Sequence, residues 1–125
     1  MATQVNGPGD DQVTRAVETF KLLADPTRLR IVWALLHGEH SVNELADHVA
    51  AQPAGVSQHL AKLRLAHLVS TRREGRTIFY KADNDHVLRL TEEALFHADH
   101  TISDNPDHVR NHQRRSRAKR PARTP

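Results

Sequence analysis

Apolar residues recur at helical spacing through the first half of the chain and switch to a two-residue alternation just past its middle. Val13, Ala16, Val17, Phe20 and Leu23 share one face of a helix predicted between Asp11 and Asp25. In ADPTRLRIVWALLHGE, Asp25 is placed to cap a second helix, Pro26 suits its first position, and Gly38 suits a stop after Leu35 and Leu36. SVNELADHVA opens with Ser41 and Glu44 at capping-box spacing, so a short third helix starts there. QPAGVSQHLAKLRLAHL predicts a fourth helix from near Pro53, with Val56, Leu60 and Leu63 facing inward.

After Leu68 the period changes. VSTRREGRTIFYKA holds two β-rich runs around Glu74-Gly75, which predicts a hairpin with Arg72, Arg73 and Arg76 crowding its tip. NDHVLRLTEEALFHADH then returns to amphipathic helix. The order is α-α-α-α-β-β-α, a mainly α fold with a β-hairpin wing: a winged helix-turn-helix. The domain is expected over residues 11–104, between a disordered N-terminus (1–10) and a basic flexible tail (105–125).

A length of 125 residues suits one compact domain, and 4 % aromatics within 38 % hydrophobics makes its core aliphatic. No run approaches the roughly 20 apolar residues of a membrane span. MATQVNGPGD lacks the basic and apolar regions of a signal peptide, so a cytoplasmic protein without membrane contact is expected. The chain has no cysteine, so disulfides and thiolate metal sites are excluded. Any metal must be held by imidazole, carboxylate, amide or backbone groups.

Charge is unevenly spread. After Asp107 there are seven basic residues and no acid, which leaves eleven basic against fifteen acidic residues, a net −4, for positions 1–108. The overall +3 therefore belongs to the tail. Within the acidic domain, Ser57 to Lys81 is an exception: Lys62, Arg64, Arg72, Arg73, Arg76 and Lys81 face Glu74 alone, a net +5. A helix fits the major groove and a β-ribbon reaches the adjacent backbone or minor groove. Ser57, Gln58, His59 and Lys62 on the fourth helix, with Arg72, Arg73 and Arg76 on the wing, are the candidate contacts to double-stranded DNA.

LLADPTRLRIVWALLHGEHSVNELADHV, VSQHLAKLRLAHLV and EGRTIFYKA resemble the ArsR/SmtB family of winged-helix repressors, over roughly residues 12–100. DDQV, SVNELA, VSQHLAKLR and TIFY are similar to its KmtR-like branch of nickel/cobalt sensors. The resemblance implies a homodimer through the first and last helices, and a repressor that leaves a roughly palindromic operator when an inducer binds. It also implies that the released gene encodes a metal exporter.

The last helix carries the candidate inducer site. At 3.6 residues per turn, the eleven residues from His86 to His97 make about three turns and the fourteen to His100 about four. All three histidines therefore share one stripe. Those eleven residues nonetheless separate His86 from His97 by roughly 16 Å of rise, far beyond metal–nitrogen bonds of about 2 Å. An antiparallel copy of the helix brings His86 of one chain beside His97 and His100 of the other, giving two equivalent sites per dimer. The family's usual aspartate falls on Asn84, a weaker, uncharged ligand. The KmtR-like resemblance implies ligands at His86, Asp99, His100 and His108, with Val109 where that branch has a further histidine. Asp99 lies on the far side of the helix from the histidine stripe, so it joins only if the helix unwinds near its end.

Imidazoles suit nickel, cobalt and zinc alike. Recruiting His108 or tail groups permits six ligands in all, which favours Ni2+ or Co2+, and three histidines with one oxygen satisfy Zn2+. HGEH at 37–40 lacks the H-E-x-x-H spacing of a helical zinc enzyme, and no nucleophile elbow or phosphate loop accompanies the histidines, so no enzyme is expected. A winged-helix regulator with a non-metal inducer and structural histidines is the alternative.

Overall fold

The computed structural model describes residues 7–103. Its elements run α1 (Asp10–Leu23), α2 (Pro26–Leu36), α3 (Val42–Val49), α4 (Pro53–Leu65), β1 (Ser70–Glu74), β2 (Thr77–Lys81) and α5 (Asp85–Ser103). This is the predicted order of a winged helix-turn-helix. The basic tail and His108 lie outside the described residues. The chain divides into two compact units, one ending at Leu88 and the other beginning at Arg89, with α5 spanning the division.

Local chemistry sets the helix ends. Asp25 Oδ2 accepts the Arg28 backbone N–H at 2.8 Å, and Pro26 takes the first position of α2, where a missing N–H costs nothing. The same amide holds the Asp25 carboxyl below its ordinary value of 3.8. Ser41 Oγ accepts from the Glu44 N–H at 3.2 Å while Glu44 Oε1 accepts from the Ser41 N–H at 2.9 Å, the reciprocal capping box. α3 stops at Ala50, whose φ of 54° and ψ of 50° are left-handed, and Ala51 and Gln52 complete the turn into α4. α4 closes in a Schellman motif: His67 has φ 62°, its N–H donates to the Arg64 carbonyl, and the Leu68 N–H donates to the Leu63 carbonyl, both at 2.9 Å.

The core of the first unit is aliphatic. Ile31, Val32 and Leu35 of α2 meet Leu45 and Ala46 of α3 and Val56, Leu60 and Leu63 of α4, with Leu68, Val69, Ala82 and Val87 closing it. Each fully buried Leu or Ile contributes about 1.5–3 kcal/mol. α1 differs, since none of its residues is buried. Its predicted apolar face, Val13, Val17 and Phe20, stays open to solvent, Phe20 being 56 % exposed. Within the second unit, α5 is exposed from Glu92 to Thr101, and Phe96 is 57 % exposed.

The wing is an antiparallel pair whose register sets Arg72 opposite Phe79 and Arg73 opposite Ile78. Gly75 and Arg76 make the two-residue turn. Only Gly75 takes a positive φ (+64°), the II′ pattern whose first position glycine fills without strain. The root of the wing is fastened to the α2–α3 connection. His40 and Tyr80 exchange backbone hydrogen bonds at 3.1 and 2.8 Å, and the Ala82 N–H donates to the Leu35 carbonyl at 3.2 Å. Arg72 completes the fastening: its Nη2 donates to Glu39 Oε1 at 2.7 Å, its Nε donates to the same oxygen at 3.1 Å, and its guanidinium lies 4.9 Å from the centroid of the Phe79 ring. The Arg72 hydrogen bonds hold the Glu39 carboxyl below its ordinary value of 4.5.

Two outcomes follow from these local arrangements. Ala50→Gly removes a left-handed Cβ penalty and returns part of it as unfolded-chain entropy, so stability rises by about 0.5–1 kcal/mol, read as a higher denaturant midpoint at unchanged slope. Because the folded-state pKa of Glu39 is depressed, its stabilising share is complete above pH 4.5 and is lost as the pH falls through the folded value. The difference in melting temperature between the wild type and Glu39→Gln is therefore constant above pH 4.5 and narrows below it.

Candidate nucleic-acid interface and metal ligands

Burial of Val56, Leu60 and Leu63 fixes which side of α4 looks outward. Ser57, Gln58 and Lys62 are exposed, as is Arg64. Seven residues, or two turns, separate Arg64 from Ser57, so the two share a face. Both line a groove of about 600 Å3 with Ala61, Leu65, His67 and Tyr80, in which Leu65 is 82 % exposed. In the sequence Arg64 stands out only as a charge; its i, i+7 relation to Ser57 is the signal that places it.

His59 behaves differently. Its side chain is 24 % exposed and is engaged within the domain, with Nδ1 3.1 Å from Arg28 Nη1 and Nε2 3.7 Å from Asp25 Oδ2. The three wing arginines also separate. Strand alternation puts Thr71, Arg73, Ile78 and Tyr80 on one face and Arg72 with Phe79 on the other. Tyr80 borders the α4 groove, so Arg73 stands on the side of the wing that faces α4. Arg76 sits at the turn, where it lines a second cavity with Ser41, Asn43 and Ile78. Arg72 is tied to Glu39 and, at 3.5 Å, to Glu74. The seven predicted contacts therefore fall into two groups: Ser57, Gln58, Lys62, Arg73 and Arg76 are open, while His59 and Arg72 are held by neighbours.

Among the described residues, the candidate metal ligands do not converge within one chain. Among the described residues no group of three or more His, Asp or Glu side chains is placed to hold an ion. His86, His97, Asp99 and His100 are all exposed along α5. The His100 ring rests against Phe96, with centroids 4.4 Å apart. Helix continues through Asp99 to Ser103, so the unwinding that would turn Asp99 toward the histidine stripe is not present. Asn84 is occupied otherwise: its Oδ1 accepts the His86 N–H at 2.9 Å and the Val87 N–H at 3.1 Å, the N-cap of α5.

Residues 25–71 match the family described as "Bacterial regulatory protein, arsR family". The HTH-type transcriptional regulator KmtR of Mycobacterium tuberculosis is 52 % identical over 101 residues, covering 81 % of this chain and 78 % of that protein. A cadmium resistance transcriptional regulatory protein CadC homolog of Staphylococcus aureus is 36 % identical over 81 residues, covering 64 % of this chain and 67 % of that protein. A homodimeric winged helix-turn-helix DNA-binding domain from Mycobacterium bovis superposes with a TM-score of 0.69 at 27 % identity, covering 81 % of this chain and 96 % of that one. Among the described residues no helix is long and apolar enough to cross a membrane. The chain belongs to the ArsR family of bacterial regulatory proteins, and it is a DNA-binding winged-helix transcriptional regulator rather than an enzyme.

Proposed function

We propose that the protein is a homodimeric, metal-responsive repressor that releases a roughly palindromic operator when a divalent transition metal binds histidines contributed by both protomers. The observation that carries this reading is the stripe of exposed imidazoles on α5. His97 and His100 lie beside exposed Leu95 and Phe96, and no cluster completes itself within the described residues of one chain. An apolar helix face left open, with ligands on it that cannot converge alone, suits closure by a second copy. The open stripe of Val13, Val17 and Phe20 on α1 supports the same closure.

In the dimer, His86 of one protomer joins His97 and His100 of the partner subunit, with His108 as a further donor and Asp99 joining only if the end of α5 unwinds on binding. The donor set is imidazole with carboxylate and no thiolate, which suits Ni2+ and Co2+, and Zn2+ as the alternative. Bound there, the ion supplies a cross-link between chains. The protein's own part is to present two α4 helices to successive major grooves, with Ser57, Gln58 and Lys62 toward base edges and Arg73 and Arg76 toward phosphates. Ligation from both protomers favours a spacing of the two reading helices that no longer suits both half-sites. Reciprocity then requires that DNA weaken metal binding by the same factor. The regulated gene fits a metal exporter, and the site of action is the cytoplasm.

One observation favours a second reading, a winged-helix regulator with a non-metal inducer. Asn84, where the family's aspartate is expected, spends its oxygen on the α5 cap.

A labelled duplex enriched from a random pool by the wild-type protein separates the two readings. Nickel, cobalt or zinc is expected to lower affinity for it by a factor of about 5–150. His97→Ala and His100→Ala abolish that response and leave metal-free affinity intact. If none of the three metals weakens the complex, metal sensing is wrong and DNA binding stands. On the same duplex, Arg73→Ala and Arg76→Ala each lower the slope of log affinity against log salt by about 0.9, whereas Arg72→Ala leaves it unchanged.

A further inference from the structure

His59 lies on the proposed DNA-reading helix yet turns to the interior, and its partners form a chain across three elements. Arg28, in the first turn of α2, donates from Nε to the Leu22 carbonyl in the last turn of α1 at 2.6 Å. Its Nη1 is 3.1 Å from His59 Nδ1 on α4. Its backbone N–H donates to Asp25 Oδ2 at 2.8 Å, and that oxygen lies 3.7 Å from His59 Nε2. A guanidinium has donors and no acceptor, so His59 Nδ1 accepts. The imidazole proton then sits on Nε2, the nitrogen facing Asp25. One side chain thereby grips the end of α1 and the middle of α4 at once, and the N-cap of α2 orients both.

We propose that His59 is a positioning residue: through Arg28 it fixes α4 on the corner between α1 and α2, so that Ser57, Gln58 and Lys62 meet DNA in register, and it makes no DNA contact itself. This rests on the reading of α4 as the recognition helix. The geometry favours it over direct contact for two reasons. Inside the domain the ring's Nδ1 is hydrogen-bonded to Arg28 and its Nε2 faces the Asp25 carboxylate at 3.7 Å, and its neighbours Ser57, Gln58 and Lys62 are open while it is not. The Leu22 contact adds a consequence. One guanidinium links the end of α1, the helix whose Val13, Val17 and Phe20 stripe is open, to α4.

The test measures binding of the full chain to the enriched labelled duplex across a salt series. His59→Ala and Arg28→Ala each weaken binding about tenfold, the double variant is no weaker than the worse single one, and the salt slope stays at the wild-type value. His59→Asn, whose Oδ1 stands close to the place of Nδ1 and accepts from Arg28, recovers most of the affinity. Additive losses or a lowered slope would falsify the assignment by making His59 a DNA contact. Unchanged affinity in both single variants overturns it as well.

Should the alanine variants fail to fold, the wild type still decides. A long-range 1H–15N spectrum is expected to place the His59 proton on Nε2, and a proton on Nδ1 means the link does not exist. A wild-type protein that enriches no duplex overturns the reading of α4 and this assignment together. A wild type that binds, with variants that bind equally well, overturns this assignment alone.

Discussion

The rotation of α4 about its own axis decides which of its side chains face outward, and that rotation is set by three apolar side chains. Val56, Leu60 and Leu63 enter the core formed with Ile31, Leu35 and Leu45, where each is close to fully buried. Turning the helix by one residue, about 100°, would expose that stripe and bury Ser57 and Arg64 in one direction or His59 and Lys62 in the other. The loss would exceed several kcal/mol on the apolar side alone. Specific polar contacts such as the Arg28–His59 link act on finer adjustments within the orientation that burial has already chosen.

The parts of the fold that are legible in the sequence are those whose causes are local. Asp25-Pro26, the Ser41/Glu44 pair and Glu74-Gly75 each act over a few residues, so their chemistry can be read without a fold. The seam between helical and strand periods after Leu68 is equally local. His59 and Arg72 are not legible in the same way. Their partners Arg28 and Glu39 stand 31 and 33 residues away, and nothing in the sequence reports that distance closing. In the sequence both are simply polar groups beside other polar groups. Asn84 is an intermediate case, because an asparagine ahead of an amphipathic run is a cap signal. The family pattern sets a metal ligand at the same position, so two signals compete there.

The histidine stripe on α5 is legible as a pattern and illegible as a site. Helical geometry alone separates His86 from His97 by about 16 Å, so no refinement of one chain joins them. Charge organisation reinforces the division of labour. The positive side chains gather on α4 and the wing, within a domain whose balance is otherwise acidic.

Two residues with left-handed backbones flank α4: Ala50, the C-cap of α3 ahead of it, and His67, just past its own C-cap. Start and stop are therefore written outside the helix, in residues that do not belong to its outward face. The thirteen residues of α4, which lie between them, behave as a replaceable cartridge. New outward side chains can be exchanged into it, and sequence preference can drift over evolutionary time, while length, phase and framing stay constant.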